Sequence, residues 1–290
     1  MRTPTLTRPQ WPRRPVDPNR GGLRWVLPAV VAVLLVAGWP LVAAVRESMF
    51  QSSLVVPDDR SFVGVETLAS VLASGAWWTA VGATLALVTV AVVLQLVLAA
   101  AFATALRRLT HGVRWLQVLL LVPFAALAVV TAVTWRDGLT AGFAPAWFGY
   151  DTGATGASVA AVVAAEVWRG TGITTVILLA GLARVPSTLR EAAVADGATA
   201  WQRMWRVTRP AAAPAIAVAV VYRGLDALRT LEAPLLADAE APRTVSTLVW
   251  DTTFETFEVG LGAALALGLL LLAVVVGTLL AVATRMRRAL

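Results

Sequence analysis

Six stretches of this chain are long and apolar enough to cross a membrane, and no other feature restricts its fold so strongly. They are Trp25–Val45, Ala80–Leu106, Trp115–Trp135, Ser158–Leu182, Ala211–Ala237 and Val259–Thr284. A helix needs about 20 mostly apolar residues to cross a hydrocarbon core roughly 30 Å thick. Inside that core every backbone polar group must be bonded within the chain, which helices achieve span by span. An all-α polytopic membrane protein with six transmembrane helices is therefore expected. Composition agrees, because 58% of the 290 residues are hydrophobic and only 14% are charged. A soluble domain of this length cannot bury that much apolar surface. The first stretch also has the look of a signal peptide. Its apolar run exceeds a usual h-region and the arginine-containing segment before it is long for an n-region, which favours an uncleaved span.

Arginine placement orients the spans. All 24 basic residues are arginine. Seventeen of them fall in the N-terminal tail, the 107–114 loop, the 184–209 loop and the C-terminus. Only four, Arg46, Arg60, Arg136 and Arg243, fall in the three loops on the other side, which carry eleven of the seventeen acids. Cytoplasmic loops are the ones enriched in Lys and Arg, so both termini and the 184–209 loop are expected in the cytoplasm. The domain plan is then a cytoplasmic Arg/Pro-rich tail over 1–24, a six-span domain over 25–284, and a cytoplasmic C-terminus over 285–290. The formal charge of +7 is a topology signal, and no nucleic-acid partner is expected. Trp11, Trp25, Trp77, Trp78, Trp115, Trp135, Trp147 and Trp250 lie at or near span ends, where indole rings favour the lipid interface.

Several chemistries are excluded outright. With no cysteine there is no disulfide, thiol nucleophile or thiolate-bound zinc. With no lysine there is no P-loop, whose lysine must reach the β- and γ-phosphates. The one histidine, His111, sits in a short arginine-rich loop, and no Gly-x-Ser-x-Gly elbow occurs. Catalytic residues, metal ligands and a cofactor held by this chain are accordingly not expected.

The 184–209 loop has a local design of its own. Thr188-Leu-Arg-Glu191 fits a capping box. Helix should then run to Asp196, where Gly197 supplies a left-handed stop. A second short helix should begin near Thr199, with Trp201, Met204, Trp205 and Thr208 on one face and Pro210 opening the fifth span. The alanines at 192, 193, 195 and 198 leave room for another backbone. The pattern Glu191-Ala192-Ala193, Asp196-Gly197-Ala198, Trp201-Gln202-Arg203-Met204 and Pro210 resembles the EAA loop of ABC importer permeases. Met204 stands where Phe is usual and Arg209 where Leu is usual. The resemblance implies that this loop inserts into a cleft of a separate ATPase, a dimer that carries the ATP and Mg. Glu191 serves either the cap or the interface.

Charges also occur inside a span, in Tyr222-Arg223-Gly-Leu-Asp226-Ala-Leu-Arg229-Thr-Leu-Glu232. At about 1.5 Å per residue from Pro210, Arg223 falls near the bilayer midplane. Such groups must face a cavity or partner helices. Spacing of three lets Arg223 pair with Asp226 and Arg229 with Glu232. The stretch resembles the Phe-Arg-x-Leu-Asp-Ala-Leu-Arg segment of MalF-like carbohydrate ABC permeases. Trp168-Arg169-Gly170-Thr171 is similar to their Trp-Lys-Gly-Thr-Pro segment, with Gly172 in place of proline. Pro40, Pro123, Trp135-Arg136 and Gly262–Ala266 also fit, so the resemblance covers about residues 25–285. A Gly-Gly-Pro loop after the fifth span is replaced by Ala237-Asp-Ala-Glu-Ala-Pro242.

This resemblance implies a permease subunit in the cell membrane. Its partners would be a second homologous permease, an ATPase dimer and an extracytoplasmic solute-binding protein that delivers a sugar. Arg223, Asp226, Arg229, Glu232, Trp168 and Arg169 become candidates for the sugar path. The alternative for the span-five charges is an ion-pair ladder that only holds helices together. Alternatives for function are a permease for peptides, amino acids or glycerophosphodiesters, and, in a different class, a secondary transporter. The last would have no use for an EAA pattern.

Overall fold

The computed structural model describes residues 22–56, 58, 60–109, 111–140, 142, 154–237 and 241–289. Most of the 1–24 tail with Trp11, then Trp147, Asp59, Asp238 and Glu240, and the side chains from Arg285 onward, lie outside the described residues. The chain divides into two units, Met1–Ala44 and Val45–Leu290. The first is represented by helix α1 (Gly22–Ser48) up to Ala44, which stays helical through Pro28 and Pro40.

The second unit begins with the last turn of α1. A two-stranded antiparallel ribbon follows, β1 (Phe50–Gln51) with β2 (Ser61–Phe62), Phe50 facing Phe62. Then come α2 (Glu66–Ala73), α3 (Gly75–Leu106), α4 (Val113–Ala125), α5 (Ala128–Thr140) and α6 (Ala154–Ala183). The chain continues through α7 (Ser187–Ala195), α8 (Ala200–Ala211), α9 (Ala213–Leu228), α10 (Glu232–Leu235), α11 (Val245–Trp250) and α12 (Val259–Ala289). Residues Arg203–Thr208 within α8 and Asp251–Glu255 after α11 are wound as π-helix.

Among the described residues, four helices are long and apolar enough to cross a membrane unbroken, and the number rises to six if each of two bent pairs is one span. The third span expected from hydropathy is the first of those pairs, and the fifth, Ala211–Ala237, is the Ala213–Leu235 half of the second, with α8 in the loop before it. α4 meets α5 at 87°, and α8 meets the Ala213–Leu235 segment at 71°. Pro123 lies just before the first break, where its missing N–H removes an i→i−4 bond. Ala126 then turns extended and starts the bend. A further interruption at Thr230–Leu231 separates α9 from α10.

Side chains are sorted for lipid. On α3 the residues Ala91, Gln95, Ala99 and Ala103 are fully buried, while Val90, Val93, Val97 and Leu98 are exposed. Small residues line helix interfaces in a membrane because they let backbones approach, and large apolar ones can face acyl chains without penalty. Ala99 and Ala103 thus pack with Leu178 and Leu182 of α6 and with Ala219 of α9. At the other end of α3, Trp77, Ala80 and Val81 pack with Val71, Val245, Ala264 and Leu265. Trp77 is therefore a core residue, contrary to the interfacial anchor its position at a span end suggests.

Candidate functional site

Three helices bring polar side chains to one point inside the second unit. Arg223 of α9 donates from Nε to Gln95 Oε1 of α3 at 2.9 Å. One terminal nitrogen reaches Glu166 Oε1 of α6 at 2.5 Å, and the other bonds Asp226. Gln95 Nε2 donates in turn to the Glu166 backbone carbonyl at 2.7 Å. The second Glu166 oxygen accepts from the Thr230 hydroxyl at 3.2 Å and lies 3.5 Å from the Arg169 guanidinium. Asp226 gathers three arginines, with Arg229 at 3.4 Å and Arg169 at 3.9 Å beside Arg223.

Burial grades outward through this network. Arg223 and Gln95 are wholly buried and the Glu166 side chain is 1% exposed. The side chains of Asp226 and Arg169 are 14% and 20% exposed, and that of Arg229 is 78% exposed. A charge held this deep costs several kcal/mol unless it is paired and its remaining hydrogen-bonding groups are satisfied. Gly170 makes the geometry possible. A Cβ there would lie 2.6 Å from Arg223 Cζ and press on the Gln95 amide. The guanidinium therefore lies directly on the α6 backbone.

The spacing-based pairing holds for Arg223 with Asp226 and fails for Arg229 with Glu232. α9 ends at Leu228 with Arg229 as its cap, so residues 229 and 232 do not share a helix face. Arg229 turns back to Asp226. Glu232 opens α10 half-buried, with no ion pair or side-chain hydrogen bond among the described residues. It lines a cleft of about 10 Å³ with Glu166, Arg169, Thr131 and Thr230, room for one water at most. Trp168 stands apart from the network, packed edge-on against Trp135 at 6.1 Å. It borders an almost wholly apolar cavity of about 610 Å³ with Leu98, Phe102, Leu119 and Pro123.

Glu166, Gln95 and Thr230 are absent from the residues singled out by sequence. Signals existed for two of them. Glu166 is an ionisable residue in an apolar span, three positions before Arg169, and such a residue is by default functional or paired. Gln95 is the one polar side chain in the run Val90–Phe102.

The second candidate element is the loop after α6. α7 starts two residues earlier than expected, with Pro186 at its N-cap, so Thr188 lies within the first turn and the Thr188–Glu191 box does not form. Glu191 is exposed and free of side-chain hydrogen bonds among the described residues. The stop forms as expected. Asp196 caps the helix, and Gly197 takes φ +74°. The N–H groups of Gly197 and Ala198 donate to the carbonyls of Val194 and Ala193, both at 3.0 Å, which closes a Schellman motif. Thr199 then caps α8 in a reciprocal box with Gln202, and Arg203 donates to the Ala198 carbonyl at 2.8 Å.

Beyond the elbow, Trp201 and Trp205 pack at a tilt of 53° with ring centroids 5.2 Å apart, and the Arg209 guanidinium covers Trp205 at 4.4 Å. Pro210 belongs to the last turn of α8 and not to the start of the fifth span, because the bend falls after it at Ala212. Leu189, Val194, Trp201, Met204 and Trp205 are all exposed.

Comparison with known proteins bears on the family and the fold. Residues 112–288 match the family model described as binding-protein-dependent transport system inner membrane component. The trehalose transport system permease protein SugA of Mycobacterium tuberculosis is 35% identical over 248 residues, covering 83% of this chain and 81% of that protein. The trehalose/maltose transport system permease protein MalF of Thermococcus litoralis is 28% identical over 250 residues, covering 82% and 84%. Among solved structures, a chain of a bacterial alginate ABC transporter, in complex with an alginate pentasaccharide-bound periplasmic protein, superimposes with TM-score 0.73. It is 18% identical, and the match covers 91% of this chain and 94% of that one.

Proposed function

The chain belongs to the binding-protein-dependent transport system inner membrane component family, and on that premise we propose how this carbohydrate ABC permease is oriented, driven and used. It is a multi-pass membrane subunit that is not itself an enzyme and works with a binding protein. Both termini and the 184–209 loop lie in the cytoplasm, as the arginine distribution favours. The 1–24 tail and residues 285–290 flank a transmembrane domain over 25–284. ATP and Mg are bound by a separate ATPase dimer, and a second homologous permease completes the pore.

The α7–Gly197–α8 elbow is the coupling element. The observation that carries this reading is an element rigidified by a Schellman motif and a capping box that still leaves five large apolar side chains exposed. Those side chains, with the unpartnered Glu191, need a protein surface to cover them. Ala192 and Ala198 allow close approach, while Ala193 is buried inside the elbow; Asp196 and Gly197 set the turn, and Arg203 pins it. Trp201 and Met204 supply contact area, and Pro210 ends the element ahead of the bend. Motion of the ATPase would then reach α9 through a stiff lever.

Sugar passes along the accessible edge of the charge network, where Arg169, Asp226, Arg229 and Glu232 present donors and acceptors. Arg223 holds the helices that bear them. Its three donating nitrogens are all engaged, which favours the structural role for this one residue. Trp168 offers an aromatic face at the border of the apolar cavity.

The test uses the cysteine-free background. A cysteine at Ala195 should cross-link to the ATPase subunit when the tagged chain is purified with it, and one at Ser61 should not. Sugar uptake that persists without any ATPase, or in the presence of vanadate, would refute the coupling assignment.

A further inference from the structure

Resting on the carbohydrate-permease reading, the charge balance of the network narrows the cargo further. We propose that the substrate is an uncharged polyhydroxylated molecule and that the permease itself disfavours acidic sugars. Three arginines, Arg169, Arg223 and Arg229, face three carboxylates, Glu166, Asp226 and Glu232, so the site sums to zero. Every guanidinium already has a carboxylate. Arg223 has two, and Arg169 lies between two. The only other arginine within α3, α5, α6 and α9 is Arg136 of α5, matched by Asp137 at 2.9 Å.

An anionic group entering a poorly hydrated site needs an unmatched cation. Here it would have to displace Asp226 or Glu166 and leave that carboxylate buried without its partner, the costly way to break an ion pair. The group left without a partner is the opposite one, Glu232, which repels anions and accepts hydrogen bonds from hydroxyls. A neutral sugar can donate to Glu232 and Asp226 while accepting from Arg169 and Arg229, with no net charge moved. The alginate importer that shares this fold takes an acidic polysaccharide, so the fold does not decide the matter. The side chains do.

The experiment uses the whole importer in proteoliposomes: this chain, its partner permease, the ATPase and the binding protein. Uptake of labelled trehalose and maltose is compared with that of alginate oligosaccharides, sn-glycerol 3-phosphate and a tripeptide. In a second arm, neutral-sugar uptake is measured in inorganic phosphate and in chloride at equal ionic strength, for the wild type and for Glu232→Gln. That arm probes the permease site and not only the binding protein. A neutral sugar should be favoured by roughly tenfold or more, since discrimination of this size follows when polar groups are left unpaired. Phosphate should leave the wild type unaffected and inhibit Glu232→Gln, whose site carries a net charge of +1 where the wild type sums to zero.

Transport of an acidic sugar at a rate comparable with the neutral one, or phosphate inhibition of the wild type, overturns the uncharged class and leaves the chain a carbohydrate permease. Indifference of Glu232→Gln to phosphate overturns the place of Glu232 in the balance. Uptake of the tripeptide with no sugar carried overturns the carbohydrate reading itself.

Discussion

Replacing Gly170 with alanine should damage this protein in a way that the same change at Gly82 does not. Both glycines lie within long helices, Gly170 in α6 and Gly82 in α3. A Cβ at Gly82 meets nothing within 4 Å, whereas at Gly170 it meets the Arg223 guanidinium carbon at 2.6 Å and the Gln95 amide. In a helix interior, Gly→Ala gains about 1 kcal/mol of propensity. Gly82→Ala should keep that gain. At Gly170 the guanidinium cannot retreat, because Nε holds Gln95 and the terminal nitrogens hold Glu166 and Asp226. One arm of a buried, hydrogen-bonded ion pair must open, at about 3–5 kcal/mol. The net loss is then about 2–4 kcal/mol after the helix gain. At about 2–4 °C per kcal/mol for a chain approaching this size, Tm should fall by about 5–15 °C. Thermal unfolding of the detergent-purified protein, read by near-UV circular dichroism, measures the difference between the two variants. A Gly170→Ala protein that melts with the wild type, or that shifts no more than Gly82→Ala, would refute the contact as a determinant of the network.

Glu166→Gln keeps shape and one hydrogen bond but leaves Arg223 with a single carboxylate, and should cost about 3–5 kcal/mol in the same assay; an unchanged Tm would show that Asp226 suffices. Gly197→Val places a β-branched residue at φ +74°, strained by about 1–2 kcal/mol. It should insert normally yet lose about tenfold in substrate-stimulated ATP hydrolysis, the equivalent of 1.4 kcal/mol at the interface, and wild-type stimulation would remove the elbow from the mechanism. Cysteines at the exposed positions Ser61 and Thr256 should react with an impermeant reagent from outside, and one at exposed Thr188 only after the membrane is opened; reversed labelling would invert the topology.

The apolar spans and the elbow were legible because each rests on local chemistry. Gly197 stops α7 by its own backbone freedom, and Thr199 caps α8 with a residue three positions away. What escaped depends mainly on contacts distant in sequence. One local signal was overlooked at the interruption at Thr230–Leu231: Pro234 cannot make the helical bond to the Thr230 carbonyl. There the Thr230 hydroxyl reaches Glu166, 64 positions away, and this contact competes with continued helix. Periodicity carried Arg229 onward to Glu232 because it assumed that the helix went on. Gln95 looked like an isolated imperfection in a lipid span until α6 and α9 closed around it. At Thr188 the local rule failed for a local reason: Pro186 already occupies the cap, so the helix starts before the threonine can serve.

The way the network is divided between helices bears on how the protein is made. α6 is synthesised and handed to the bilayer before α9 exists, so Glu166 must enter without Arg223. A lone charge at a span centre raises the insertion free energy by about 2.5–3.5 kcal/mol. Each charged span, however, brings its own counter-charge one turn away, Arg169 for Glu166 in α6 and Asp226 for Arg223 in α9. Each can therefore partition as a neutral couple, and the exchange of partners that joins Arg223 to Glu166 happens only after both are in lipid, with Gln95 already present in α3. Arg169 makes only long contacts in the finished protein, at 3.5 Å and 3.9 Å, which predicts for it an added part as the counter-charge of Glu166 during insertion. Its loss should lower the number of molecules that insert, seen by pulse-labelling, more than the melting temperature of those that do; the reverse pattern would deny it that part.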